Sequence, residues 1–194
     1  ISGRARRKAG GAAVRRCGGA ADVSASPLAP VRYHSRMPRQ YWLMKSEPDV
    51  YSIDDMERDG TEEWEGVRNY QARNFMRAMK KGDLAIYYHS NAKPSGAVGV
   101  IRVVGPARPD ATQFDPEHQY YDGRSKEEDP RWDVVDVEFV EKFGEIGGLA
   151  ELKADAALEG MHVTRKGSRL SVTPVEKAHF KRVLKLAGAK IRVR

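Results

Sequence analysis

The sequence is poor in cysteine and has no long apolar run, and each shortage excludes a class of protein. Cys17 is the only cysteine among 194 residues, so the sequence holds neither a disulfide framework nor a metal site built from several cysteines. No apolar run approaches the about 20 residues that a membrane-spanning helix needs. These features predict a protein of a reducing compartment with no membrane partner. The expected location is the cytoplasm, with a nucleoid or, in a eukaryote, the nucleus as alternatives.

The sequence also lacks the motifs that usually indicate catalysis, a metal or a bound nucleotide. It contains no G-x-S-x-G, no G-x-x-x-x-G-K-[ST] and no G-x-G-x-x-G, and its five histidines show no H-x-x-x-H or H-E-x-x-H spacing. Asp83, His89 and Ser90 lie close together in the sequence, which leaves a small-molecule hydrolase as a minor alternative. We predict that the protein is not an enzyme and that it holds neither a metal nor a cofactor.

Positive charge is concentrated near the start of the sequence. The chain holds 34 basic and 27 acidic residues, and residues 1–36 contain eight of the basic residues and one of the acidic ones, which leaves 26 of each in residues 37–194. Residues 1–36 show no apolar periodicity, so they are predicted to be a disordered leader, either translated upstream sequence or a targeting segment. Residues 37–194 form a neutral domain, and any nucleic-acid binding must therefore come from a local site.

The domain alternates short apolar runs with amphipathic stretches. Strands are predicted at residues 41–45, 84–90, 96–105, 132–140 and 169–173. Strands with helices around them favour an α+β fold with a curved or barrel-like sheet. The 27 residues from Gly105 to Arg131 are long for a structureless connection, so this segment is predicted to be a functional or flexible loop.

Three helices are predicted from their start signals. Ser52 followed by Asp55 resembles a capping box, Asn69 is a favourable N-cap, and Thr173-Pro174 with Glu176 predicts a capping box for the last helix. The second of these helices has an apolar stripe of Ala72, Phe75, Met76 and Met79, and the last has one of Phe180, Val183, Leu184 and Ala187.

The stretch "WEGVRNY" at residues 64–70 is the best candidate for a binding site. If Asn69 caps a helix, the free N–H groups of the first turn point toward whatever lies beside Trp64 and Arg68. The alternative is structural, since tryptophan is usually largely buried and a charged helix flank is usually only solvated.

Several segments, in the same order, closely resemble the EVE domain family. They are "YWLMKSEPDVYSIDDM", "EWEGVRNYQARNFMRAMKKGD", "YYHSN", "PRWDVVDVEFV" and "RLSVTPV". The resemblance runs from about Tyr41 to about Leu186 and implies a PUA-like fold, a curved β-barrel of about five to six strands with flanking helices. It also implies a relationship to YTH readers and a non-catalytic pocket for a modified base, expected to be a modified cytosine in DNA. A module that binds structured or modified RNA is the alternative, and a monomer is expected.

The resemblance also implies roles for individual residues. Trp64 corresponds to the tryptophan that forms one wall of the YTH base cage, and Glu47 stands where YTH readers usually have an asparagine. A carboxylate can accept a hydrogen bond from the cytosine N4 amino group, which favours cytosine. The second aromatic wall stays open between Trp132, Tyr87 and Tyr88.

With this resemblance, two sets of site residues are predicted. The predicted base pocket consists of Ser46, Glu47, Trp64, Asn69, His89, Asn91 and Trp132. The residues predicted to hold the neighbouring phosphates are Lys45, Arg68, Arg73 and Arg169.

Overall fold

The computed structural model describes residues 39–193, so the predicted leader at residues 1–36 lies outside the described residues. Within the described part, seven strands and four α-helices alternate along the chain. In order they are β1 Tyr41–Ser46, α1 Ile53–Asp59, β2 Thr61–Trp64, α2 Tyr70–Ala78, β3 Leu84–His89, β4 Gly96–Val103, β5 Arg108–Pro109, β6 Asp133–Gly148, α3 Leu149–Ala154, β7 Val172–Pro174 and α4 Lys177–Leu186. Short 3-10 turns lie at Ala111–Gln113, Ala156–Leu158 and His162–Thr164.

The strands form one curled sheet. Its order is β2-β6-β4-β3-β1-β7, and the two-residue β5 pairs with β6 beside this path. β1 and β3 run parallel, whereas the other neighbouring strands are antiparallel. Register shifts interrupt the β3–β4 and β4–β6 ladders, and such irregularities bend a sheet. The sheet curls into a half-barrel with helices around it, which confirms the predicted fold class.

Both faces of the sheet are buried. In β1, Tyr41 and Leu43 belong to one apolar cluster while Trp42 and Met44 belong to another, because successive side chains of a strand point to opposite faces. Helix α4 covers the first cluster with Phe180 and its neighbours, and helices α1 and α2 cover the second. Burial on both faces explains why the central strands are continuous apolar runs in the sequence.

The first two helices begin where their caps predict. The Asp55 N–H donates to Ser52 Oγ at 3.1 Å and the Ser52 N–H donates to the Asp55 carboxylate at 2.9 Å, so the capping box is confirmed. Asn69 Oδ1 accepts hydrogen bonds from the N–H groups of Gln71 and Ala72 at 2.9 and 3.1 Å. The second cap fixes the direction in which the chain leaves β2 and enters α2.

The start of the last helix differs from the prediction. Helix α4 begins at Lys177 with Glu176 as its N-cap and no side-chain cap bond, whereas Pro174 lies in β7 opposite Trp42. The predicted capping box is therefore wrong, because β1 recruits Thr173 and Pro174 as a strand. The apolar stripe of α4 is confirmed.

Strand β2 has no counterpart in the sequence prediction, and β6 is longer than predicted. β2 reads "TEEW", and only Trp64 in it is buried, since among residues 39–193 this edge strand pairs with β6 alone. β6 extends eight residues beyond Val140 through a segment with three glycines. Together these two strands place Trp64 next to the start of α2.

Candidate functional site

An open cavity of about 570 Å³ lies beside the second apolar cluster. Three segments line it: the end of β1 with its following turn, residues from 45–51; β2 and the link to α2, residues 62–69; and Gln119 with Tyr120 from the long connection. Ser171, before β7, completes the lining. The cavity brings together six of the predicted residues, namely Lys45, Ser46, Glu47, Trp64, Arg68 and Asn69.

Trp64 belongs both to the core and to the cavity wall. Its side chain is only 8% exposed and meets the Tyr87 ring edge-on at 5.4 Å between centroids. The indole N–H groups of Trp42 and Trp132 each donate to an aspartate, at 3.1 and 2.9 Å. No residue within 39–193 accepts a hydrogen bond from the Trp64 indole nitrogen. This nitrogen is also not fully buried. The Trp64 N–H is therefore available to a ligand.

The turn after β1 holds Glu47 at the cavity rim. The N–H groups of Val50 and Tyr51 both donate to the Glu47 carbonyl, at 2.9 and 3.0 Å. The Tyr51 carbonyl accepts from Ser46 Oγ and from the Tyr87 hydroxyl, each at 2.8 Å. These bonds fix the turn, so the exposed Glu47 carboxylate has a defined position beside the cavity.

Arg68 anchors the long connection to the cavity wall. Its guanidinium donates to the Tyr120 carbonyl at 2.8 Å, to the Asp110 carboxylate at 2.8 Å and to Thr112 Oγ1 at 2.9 Å. Burial alone would raise the pKa of Asp110, but hydrogen bonds from Thr112, Arg68 and the Gly66 N–H together hold this pKa below its usual value. The sequence predicted that Arg68 holds a phosphate. In the structure its donors are engaged inside the protein, where they fix Tyr120 and Asp110 beside the cavity.

Tyr120 is a site residue that the sequence prediction missed. It lines the cavity, and a Cβ built on Gly66 would lie 2.4 Å from Tyr120 Cε2, so the ring packs directly on this glycine. The length of the segment from Gly105 to Arg131 signalled a functional loop, but nothing local in the sequence distinguishes Tyr120 from the neighbouring Tyr121. Of the aromatics proposed for a second wall, neither Trp132 nor Tyr87 nor Tyr88 lines the cavity.

Carboxylates outnumber cations around the cavity. Among the described residues, its lining includes the acids Glu47, Glu62, Glu63 and Glu65 but, of cations, only Lys45 and Arg68. Burial, reinforced by the nearby Asp110, raises the pKa of Glu65, while burial lowers the pKa of Lys45. Lys45 donates to the Ser168 carbonyl at 3.1 Å. This charge pattern favours a ligand that offers hydrogen-bond donors over one that places a phosphate inside the cavity.

Three of the predicted pocket residues lie outside the cavity lining. His89 Nε2 accepts from the Ile53 N–H at 3.1 Å, so this buried imidazole supports the start of α1. Asn91 is exposed and donates to the Glu47 carboxylate at 3.2 Å, so it contacts the cavity rim only through Glu47. Trp132 is 5% exposed and packs away from the cavity.

The remaining predicted phosphate ligands, Arg73 and Arg169, also lie outside the cavity. Arg73 donates to the Arg131 carbonyl at 2.7 Å and to the Asn74 side chain, with no carboxylate partner among residues 39–193. Arg169 is exposed and forms no ion pair with the described residues. Arg169 is therefore accessible, whereas Arg73 is half-buried and its guanidinium has only neutral acceptors among residues 39–193.

The three residues of the hydrolase alternative do not form a nucleophile and base pair. Asp83 accepts from Trp42, Gln40 and Lys80, while the His89 nitrogen that could accept a proton is occupied by the Ile53 N–H. Ser90 Oγ points to the Ser46 carbonyl at 3.4 Å.

In the described part of the chain, no group of three His, Cys, Asp or Glu residues is arranged to hold a metal ion, and no helix is long and apolar enough to cross a membrane.

Comparisons with known proteins show what this chain is similar to. The family model of the EVE domain matches residues 40–186. Thymocyte nuclear protein 1 of Mus musculus is 42% identical over 165 residues, covering 75% of this chain and 73% of the relative. A crystal structure of human THYN1 protein in complex with 5-methylcytosine-containing DNA has a TM-score of 0.73 at 42% identity and covers 78% of this chain and 99% of that chain. A crystal structure of a Pseudomonas syringae protein has a TM-score of 0.74 at 45% identity, with 76% and 99% covered.

Proposed function

Because this chain belongs to the EVE domain family, we propose that it binds DNA carrying a modified cytosine, without catalysis, in the cavity between β1, β2 and the long connection. The observation that carries the proposal is the human relative, whose crystallised complex contains 5-methylcytosine DNA and whose chain is matched over 99% of its length. The same comparison favours DNA over the RNA alternative.

The cavity suits one flat, partly polar ligand. Its volume of about 570 Å³ lies within the range of about 300–1,000 Å³ that is usual for small-molecule sites, and Trp64 and Tyr120 both border it. Taking a base out of its stack costs a few kcal/mol, and stacking on an aromatic side chain returns about 1 to 3 kcal/mol. We propose Tyr120 as the second aromatic wall in place of the three candidates drawn from the sequence.

Hydrogen bonding at the rim supports cytosine. Glu47 and Glu65 supply acceptors, and cytosine offers its N4 amino group as a donor. The Trp64 N–H is a donor for the carbonyl or ring nitrogen of the base, whereas Asn69 already engages the N–H groups of Gln71 and Ala72 at the start of α2. Arg73 and Arg169 remain the proposed phosphate ligands, since neither has a carboxylate partner among residues 39–193.

The names of the relatives also bear on where the protein is located in the cell. The animal relatives carry the word "nuclear" in their names, so for this chain we propose the nucleus if its source is eukaryotic. The comparisons give no support to a cytoplasmic location. The expected monomer stays a prediction.

The test is binding to a matched set of DNA strands. Fluorescence anisotropy with single- and double-stranded oligonucleotides that carry cytosine, 5-methylcytosine or N6-methyladenine at one position should show the tightest binding for 5-methylcytosine. Trp64→Phe, which keeps an aromatic wall but removes the N–H, should weaken binding of the 5-methylcytosine strand while leaving the protein folded. Equal affinity for methylated and unmodified cytosine would refute the proposal, and conversion of the base, seen by mass spectrometry after incubation, would refute its non-catalytic part.

A further inference from the structure

A continuous stack of flat side chains leads from the cavity wall to the protein surface. The Arg68 guanidinium carbon lies 5.5 Å from the centre of the Tyr120 ring and 5.8 Å from that of Trp132. Trp132 in turn stacks on Tyr70 with 4.8 Å between centroids and 27° between planes. The stack therefore begins at a residue that lines the cavity and ends at Tyr70, which directly follows the cavity residue Asn69.

Tyr70 presents an open aromatic face to solvent. Half of its surface is exposed, whereas its stacking partner Trp132 is 5% exposed and is held by a hydrogen bond to Asp122. Arg73 lies 4.9 Å from the Tyr70 centroid and 6.0 Å from that of Trp132. These two similar distances place Arg73 beside the pair of rings, since a guanidinium across Tyr70 from Trp132 would lie much farther from the tryptophan. The outer face of Tyr70 is thus uncovered in the described structure.

The charges next to this face suit a polyanion. Arg131 Nη1 lies 3.3 Å from the Tyr70 hydroxyl and 3.8 Å from the nearest carboxylate, that of Asp122, which also holds Trp132. Arg73 has only neutral acceptors, as described above. By contrast Arg77, one turn farther along α2, is neutralised by Asp133 at 2.5 Å.

A solitary exposed tyrosine needs no explanation, but this one combines three independent features. It is held flat against a buried tryptophan, it has two partly exposed guanidinium groups beside it, those of Arg73 and Arg131, and it adjoins the cavity. Aromatic faces interleaved with cations are what single-stranded nucleic acids bind, because every base has a face to stack and every nucleotide carries a phosphate.

We propose that Tyr70, Arg73 and Arg131 form a second subsite that stacks the base of a nucleotide flanking the one in the cavity and holds its phosphates. This subsite rests on the proposed function, since it assumes that the same DNA strand enters the cavity. It extends recognition from a single modified base to that base with its neighbour.

The test compares ligands that can and cannot reach Tyr70. The ligands are 5-methyl-2′-deoxycytidine monophosphate, a single-stranded oligonucleotide with one 5-methylcytosine, and the same strand with abasic linkers on both sides of the modified base. Tyr70→Ala should weaken binding of the intact strand by roughly 5- to 150-fold, the range for loss of one stacked base. Tyr70→Phe, which keeps the ring but removes the hydroxyl beside Arg131, should bind nearly as the parent does.

The other two ligands identify the origin of the effect. The abasic strand should bind the parent more weakly than the intact strand does and should lose little more with Tyr70→Ala, while affinity for the monophosphate should not change. A second variant, Tyr70→Leu, keeps apolar cover over Trp132, so it should show the same pattern if Tyr70→Ala proves unstable.

Two results would overturn the subsite. One is an unchanged affinity of Tyr70→Leu for the intact strand, and the other is an equal loss for the monophosphate, which would mean that Tyr70 only shapes the cavity. Failure of the proposed function has a different signature, namely a parent protein that binds methylated and unmodified strands equally. In that case the Tyr70 effect is measured on the unmodified strand, with and without flanking bases. A parent that binds no nucleic acid would overturn both proposals.

Discussion

At the scale of single residues, Gly66 controls the position of the proposed second wall. Its φ is +73°, and a Cβ there would meet the Tyr120 ring at 2.4 Å. We expect Gly66→Ala to displace Tyr120 and to weaken binding of 5-methylcytosine DNA. It should also lower stability, by about 1–2 kcal/mol from the left-handed backbone alone.

Gly60 provides a matched control for this substitution. Its φ is +77°, but a Cβ there would meet none of the described residues within 4 Å. Gly60→Ala should therefore show a similar backbone strain in thermal unfolding and leave DNA affinity unchanged. If the two variants bind DNA equally well, Tyr120 is not a wall of the site.

Glu47 is the residue whose chemistry should select the base. A neutral glutamine keeps the shape of the side chain but presents a donor as well as an acceptor. Glu47→Gln should therefore reduce affinity for modified cytosine by roughly 1 to 3 kcal/mol, and by less for adenine or thymine in the same strand. Glu57→Gln, at an exposed position of α1, is the control. Equal losses over the whole panel would show that Glu47 shapes the rim without reading the base.

At the scale of elements, the joint between β3 and α1 should respond to pH. His89, the last residue of β3, accepts from the N–H of Ile53, the first residue of α1, so only the neutral imidazole maintains this bond. Burial lowers the pKa of His89, and the unfolded chain therefore takes up this proton at a higher pH than the folded protein does. The free energy of unfolding should then fall as the pH drops below about 6.5.

Urea unfolding at several pH values measures this effect. His89→Gln keeps an acceptor for the Ile53 N–H but does not titrate, so it should flatten the dependence on pH. Some dependence should remain, because burial also lowers the pKa of His162. An unchanged pH profile in the variant would mean that protonation of His89 does not weaken this joint.

The elements that the sequence predicts are those with a strong local signal. The apolar runs of β1, β3 and β4, the capping box of α1 and the Asn69 cap of α2 all appear where expected. Strand β2 is not predicted from the sequence because it is polar and depends on pairing with β6. Helix α4 begins later than predicted because Thr173 and Pro174 pair with β1 as a strand. In both cases a tertiary contact overrides a local pattern.

The same distinction applies to the candidate site. Residues contiguous with a recognisable motif, such as Ser46, Glu47 and Trp64, do line the cavity. Tyr120 is held at the cavity by the contacts of Arg68 with Asp110 and with the Tyr120 carbonyl and by packing on Gly66, across more than forty residues of chain. Pairings at that separation have no signature in a single sequence. His89, which was predicted to read the base, lies outside the cavity lining and accepts from the Ile53 N–H at the start of α1.

At the scale of the whole molecule, the neutral balance of residues 37–194 predicts binding through few phosphates. Each phosphate that a cation neutralises on a single strand adds about 0.7 to the slope of log Kd against log salt concentration. We expect a shallow slope for the parent protein and a slope lower by about 0.7 for Arg73→Gln. Arg77→Gln is the matched control on the same helix, because Asp133 already neutralises Arg77. If Arg73→Gln and Arg77→Gln change the slope equally, attraction arises from the general charge of α2 and not from a phosphate held at Arg73.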